Sequence, residues 1–344
     1  MTLGDQTFPF GDSPSLRPLV AFCHITSERT FVTIDIEEIK RRLYDDPEIR
    51  ARIVRDYGLT NSPADPERLV SALLHNLGQT PLRDPLTNKH SNQVVFRAAV
   101  RALGSNNRLW ATFLKHESQL AQLLRGYDAK ATNNAVEQGA LDAKDLKSCL
   151  PGQSSTADAR AILRWAQVLT IVDDYNAFLC DLGRAFARLS KELYNRPLAD
   201  ADLLPCVAGY LGNPQTAWKG ESHLGSARLC IPNDLRKTPG MSYVLASEFL
   251  RNLGWNGFKP DRHVIRLFDR WLPTGTDLVE QRVQELIQLI GRKDKMLHAY
   301  VAYSQLGARI SPSSVPLSHV DNLVWLLGSY IEKKGRESGR NYLR

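Results

Sequence analysis

The sequence predicts a mainly α-helical protein on three observations. Apolar residues recur at three- and four-residue spacing through most of the chain after Ile36. Runs rich in β-branched residues are confined to 19–25 and 30–36, where a small N-terminal β-hairpin is expected. Pro, Gly, Asn and Asp cluster between the periodic stretches and punctuate them.

Taken in order, residues 1–17 are rich in Gly, Pro, Ser and Asp without periodicity and predict a flexible arm. Helical spacing begins with Ile36, Ile39 and Leu43 and resumes after Asp46-Pro47 with Ile49, Ile53 and Tyr57. Leu69, Leu73, Leu74 and Leu77 share one face of a helix that Gly78 stops, and 80–92 is a proline-containing loop. Two further helices are expected over 94–103 and 109–124, while 126–152 is weakly patterned and holds a domain boundary. The longest helical stretch, 156–193, carries an apolar stripe and should break near Asp173-Asp174. Prolines 197, 205 and 214 predict short helices and loops over 195–221. Helical periodicity returns over 278–289, 296–306 and 319–331. The expected organisation is thus an arm at 1–17, an N-terminal helical region at 18–140, a second helical domain at 141–332 and a basic tail at 333–344.

Lys and Arg exceed Asp and Glu by 44 to 37, a net charge of +7 that suits a polyanionic partner without singling one out. No run of about eighteen apolar residues exists, so no membrane span is expected. Residues 1–20 carry acids, prolines and glycines where a secretion signal needs a basic start and an unbroken apolar core, so a cytoplasmic location is expected. The five cysteines are dispersed, the nearest pair being Cys206 and Cys230. That spacing supports neither a zinc ribbon nor a local iron–sulfur loop, and no metal or cofactor is expected.

The chemistry-bearing segment is Thr238-Pro239-Gly240-Met241-Ser242-Tyr243, followed by Lys259-Pro260-Asp261-Arg262-His263-Val264-Ile265-Arg266. Asn233-Asp234 reads as the cap of a short turn through Arg236 and Lys237, and Pro239-Gly240 as a hairpin into a second helix from Tyr243. Backbone N–H groups at that helix start favour an anion such as phosphate, with Arg236, Lys237 and Arg251 near in sequence. These residues resemble the helix-hairpin-helix superfamily of DNA glycosylases, whose hairpin reads Leu-Pro-Gly-x-Gly and is followed by Val-Asp-x-His-Val-x-Arg. The likeness is strongest over 235–271 and extends weakly to about residue 327.

The resemblance implies a helical bundle in two lobes, double-stranded DNA containing a modified base as partner, and a monomer. It makes Asp261 the catalytic carboxylate, supporting the positive charge that develops on the sugar or orienting water. It places Pro239, Gly240, Met241, Ser242, Tyr243, Arg236 and Lys237 against the DNA backbone, with His263 and Arg266 as further contacts or helix braces. Gln153 is the expected wedge into the base stack, and Trp165, Tyr175 and Trp218 are candidates for a base pocket. Val244 stands where lyase-competent members carry a nucleophilic lysine, which implies a monofunctional enzyme unless Lys219 or Lys237 substitutes. Ser242 replaces the second glycine, which requires either a negative φ there or an uncommon backbone conformation. By itself, Asp261 also fits a plain helix cap. Substrates in view are an alkylated purine, or a bulky hypermodified cytosine of bacteriophage DNA removed in defence. A DNA-binding protein without chemistry and a helical protein unrelated to nucleic acid are the other readings.

Overall fold

Helix boundaries follow capping chemistry written in the sequence. The computed structural model describes residues 32–59, 63–76, 81–215, 217–224 and 236–344. Among these residues fifteen α-helices and one isolated β-bridge make a mainly α fold with no strand. In α1 (Ile36–Asp45), Asp35 accepts the Glu38 N–H, and in α2 (Pro47–Asp56), Asp46 accepts from Glu48 and Ile49 with Pro47 at the first turn. Helices α3 (Pro66–Asn76), α4 (Asn92–Gly104) and α5 (Trp110–Leu123) follow the expected periodicity. The stretch expected to break near Asp173-Asp174 does so, giving α8 (Ser155–Ile171) and α9 (Tyr175–Tyr194) with Asp174 capping α9 through the Ala177 N–H at 2.8 Å.

Two regions are more helical than the sequence pattern suggested. Residues 126–152 contain α6 (Ala129–Glu137), capped by Asp128, and the short α7 (Ala143–Lys147), closed by a reciprocal Asp142/Asp145 capping box. The proline-rich segment forms α10 (Asp200–Gly212) straight through Pro205. Proline there leaves the Ala201 carbonyl without its helical donor. Gln305 supplies the missing N–H, its Nε2 lying 2.9 Å from Ala201 O. The repair comes from a helix far away in sequence, α14 (Lys295–Ile310), so no local pattern could announce it.

Helix α11 (Tyr243–Arg251) packs against α4, α10 and α14. Helix α12 (Arg262–Trp271) packs against α15 (Leu317–Leu326), while α13 (Glu280–Ile290) lies against α10 and α14. At its end α15 widens into a π-helical turn, Leu327–Ile331, and α1 and α2 lie against that turn. Residues 32–344 form one compact unit. The segment 333–344, expected as a tail, folds back onto this core. Thr33 and Arg344 exchange backbone hydrogen bonds at 2.8 and 2.9 Å, and Tyr342 is buried with its hydroxyl 2.7 Å from Glu332 Oε1. Its tyrosine and leucine find apolar partners that the polar composition masked. The arm at 1–17 and most of the expected β-hairpin lie outside the described residues, as do the Asn233-Asp234 cap, Cys23 and Cys230.

Replacing Gln305 by Ala orphans the Ala201 carbonyl inside α10 and should lower stability by about 1–3 kcal/mol. Urea denaturation reads this directly, and an unchanged midpoint would refute the repair.

Candidate functional site

Pro239 and Gly240 occupy the two central positions of a tight turn closed by Met241 N–H to Thr238 O at 3.3 Å. Gly240 has φ +70°, the value a type II turn demands at its third residue and glycine adopts without strain. The turn is seated on α8. A Cβ at Gly240 would stand 2.4 Å from the Ala161 Cβ, and Trp165 Nε1 donates to Pro239 O at 3.2 Å. Thr238 anchors the other side, its N–H and hydroxyl both directed at Leu211 O of α10. Ser242 then enters α11 with φ −96°, so the residue in place of a second glycine is unstrained. Its hydroxyl makes no cap hydrogen bond, and the first N–H groups of α11 have no side-chain acceptor.

Asp261 begins α12. Its Oδ1 accepts the N–H groups of His263 at 2.8 Å and Val264 at 3.1 Å, while Oδ2 makes no hydrogen bond among the described residues. One oxygen therefore satisfies the cap and the other is spare. Asp261 lines a cleft of about 1130 Å³ together with Ser242, Val244 and Leu245 from the start of α11. The 105–109 loop between α4 and α5, Trp110 at the start of α5, the start of α12 and residues 328–334 complete much of its wall. Arg and Lys in that lining outnumber Asp and Glu, with Arg52, Arg108, Arg251, Lys259, Arg262, Arg266, Lys333 and Lys334 against Glu248 and Asp261.

Behind Asp261 runs a buried ionic network. Arg251 donates to Asp321 Oδ2 at 2.6 Å, to Asn322 Oδ1 at 2.7 Å and to Ser318 O at 3.1 Å. Asp321 uses its second oxygen to accept the Lys259 N–H at 2.9 Å, which fixes the backbone two residues before Asp261. Burial pushes the Asp321 carboxyl up to about 6, against the pull of Arg251 and Lys259. The Lys259 ammonium lies 3.2 Å from Glu248 Oε2. Burial draws Lys259 down, but the carboxylates of Glu248 and Asp261 outweigh it and hold the ammonium above its ordinary range. Glu248 moves the opposite way: burial raises it, and Lys259 and Arg251 bring the net value below the usual carboxylate range.

The expected site residues divide into four groups. Asp261, Ser242, His263 and Arg266 share the cleft. His263 and Arg266 also brace the π-helical turn, with His263 Nδ1 at 3.3 Å and Arg266 Nη2 at 3.0 Å from Gly328 O. Burial lowers the His263 pKa, with Arg262 and Arg266 adding to it and Asp261 opposing. Lys237 and Gly240 are exposed beside the turn, and Pro239 is half-buried. Met241 and Tyr243 point into the core instead, Tyr243 stacking on Tyr300 and donating to Asp294 Oδ2 at 2.8 Å. Arg236 is buried in an ion pair with Glu221 at 2.5 Å, and Arg236 and Lys237 form a bend where a helical turn was expected. Gln153 is exposed on a loop tied to the cleft wall through Arg108 Nε and Pro151 O at 3.1 Å.

Trp165, Tyr175 and Trp218 are buried in the core; of the tryptophans at the cleft wall, Trp110 and Trp255 are buried as well and Trp325 is half-buried. Neither Lys219 nor Lys237 lines the cleft, but Lys259 does. The 105–109 loop at the cleft was missed by sequence reasoning. Its available signal was Asn106-Asn107 between two helical stretches, since asparagine tolerates the left-handed conformation that Asn107 adopts at φ 53°. Among the described residues no three His, Cys, Asp or Glu side chains come together as a metal site, and no helix is long and apolar enough to cross a membrane. Comparison with protein families, with curated proteins and with solved structures finds no match to this chain.

Asp321→Ala leaves Arg251 charged and buried without its principal partner. The expected loss is about 3–5 kcal/mol of stability, read as a lowered denaturation midpoint; a near-neutral effect would show that the network does not hold the Asp261 segment.

Proposed function

We propose that the protein is a monofunctional DNA glycosylase, which flips a modified base from duplex DNA and hydrolyses its N-glycosidic bond. The observation that carries this reading is the spare Oδ2 of Asp261 in a cationic cleft that also takes in Ser242 and Val244 at the uncapped start of α11. A carboxylate that only capped α12 would have no need of such surroundings.

In the proposed reaction the C1′–N bond lengthens and positive charge grows on the deoxyribose. Asp261 Oδ2 faces that charge and can align a water molecule. The water oxygen bonds to C1′ and its proton passes to the departing base, so the products are the free base and an abasic site. Cations around the cleft neutralise the flanking phosphates. Trp325, half-buried at the cleft wall, offers an apolar ring for the extruded base. Asn107 and the half-exposed Leu109, both at the cleft, sit where a side chain can fill the emptied stack, and Gln153 is on the loop next to them.

The absence of a lyase step rests on two residues. Val244 lines the cleft without an amine, and Lys259, the lysine nearest Asp261 in sequence, is held as an ammonium by Glu248 and Asp261.

Asp261→Asn keeps an amide able to cap α12 and removes the negative charge. Incubation with genomic DNAs of different modification, followed by mass spectrometry, should show base release by the native protein and at least a hundredfold less by the variant (about 3 kcal/mol of transition-state stabilisation), with duplex affinity retained. Full activity in the variant would overturn the assignment. Borohydride added during turnover should trap no covalent protein–DNA adduct; a trapped adduct would identify a lysine nucleophile and refute the hydrolytic route.

A further inference from the structure

The cleft has a rim that the hairpin does not account for. Arg52 reaches it from α2, its guanidinium 5.3 Å from the centre of the Tyr330 ring, and Tyr330 belongs to the π-helical turn after α15. Asp56 steadies both, lying 3.6 Å from Arg52 Nε and accepting the Tyr330 hydroxyl at 3.3 Å. Lys333 and Lys334 follow the turn directly and line the same cleft, as does Arg262 beside Asp261. Among the described residues Arg262, Lys333 and Lys334 have no ion-pair partner, unlike Arg108, Arg251 and Lys259 deeper in the cleft. Burial, followed by repulsion from Arg52 and Arg336, lowers the Lys333 pKa.

Crowded like charges cost free energy unless a partner neutralises them. The internal cations of this chain are matched to carboxylates with care, so an unmatched group on a concave rim marks where an external polyanion belongs. We propose that the unpaired Lys333 and Lys334, joined to Asp261 through Arg262 and flanked by the Asp56-paired Arg52, form a second phosphate-binding lip that holds the DNA backbone away from the hairpin. This rests on the DNA reading above and adds a contact surface drawn from the two ends of the described chain. The lip carries no base-reading geometry, so it positions the duplex and raises affinity without selecting sequence.

Salt dependence tests it. Each phosphate contact adds about 0.9 to the slope of log affinity against log salt concentration. Binding of an unmodified short duplex is measured between about 50 and 200 mM salt for the native protein, for Lys333→Gln/Lys334→Gln and for Lys237→Gln at the hairpin. The lip variant should lower the slope by about 2, with an unaltered melting curve because both side chains reach solvent. A native slope in that variant, with the native protein binding DNA, would overturn the lip and leave the glycosylase reading standing. Failure of the native protein to bind duplex even at the lowest salt would remove the DNA reading and the lip with it. Lysine-dependent binding to anionic phospholipid vesicles, without binding to duplex, would assign the rim to a membrane surface and equally refute the proposal.

Discussion

The constraint on which the site depends is the burial of Arg251. A guanidinium inside a protein is tolerable only when its charge is paired, and this one draws Asp321, Asn322 and the Ser318 carbonyl around its two Nη groups. Those partners belong to α15, whereas Arg251 ends the helix that follows the hairpin. The pairing therefore fixes the helix after the turn against the helix behind Asp261. Asp321 extends the hold by accepting the Lys259 N–H, so the backbone entering Asp261 cannot drift. Two segments separated in sequence are locked into one cleft by a single desolvated charge.

The same economy explains the electrostatic gradient of the cleft. Deep cations are neutralised: Arg108 by Asp158, Arg251 by Asp321 and Lys259 by Glu248. Near the surface Arg262, Lys333 and Lys334 lack such partners among the described residues. Deep pairs set geometry, and the outer charges set the field met by an approaching ligand. Asp261 lies where the two regimes meet, with one oxygen committed to the helix and the other available.

Local rules made part of this arrangement legible. The left-handed Gly240 after Pro239, Asp261 as a helix cap and the division of 156–193 at Asp174 all follow from chemistry within a few residues of each position. What the sequence concealed was settled by distant partners. Arg251 was expected at a phosphate and is turned inward by groups on α15. Pro205 was expected to break a helix that Gln305 mends. Tyr243 was placed with the DNA contacts, but Tyr300 and Asp294 give its ring and hydroxyl a better home in the core. Asn106-Asn107 marks the 105–109 segment as a loop, but that the loop reaches the cleft depends on α4 packing against α8 and α11, a tertiary fact.

The π-helical turn at Leu327–Ile331 carries a consequence of its own. Such a turn amounts to one residue inserted into an α-helix, which loosens the carbonyl ladder. Here the Gly328 carbonyl is the one aimed sideways, at His263 and Arg266. A single-residue deletion in that turn would restore a regular helix and advance everything after it by about a hundred degrees of rotation. Glu332, Lys333 and Tyr342 would then all face the wrong way at once. The helix register at this point acts as a phase setting for the end of the chain, and lengthening or shortening it by one residue would be tolerated far less well than any single side-chain exchange nearby.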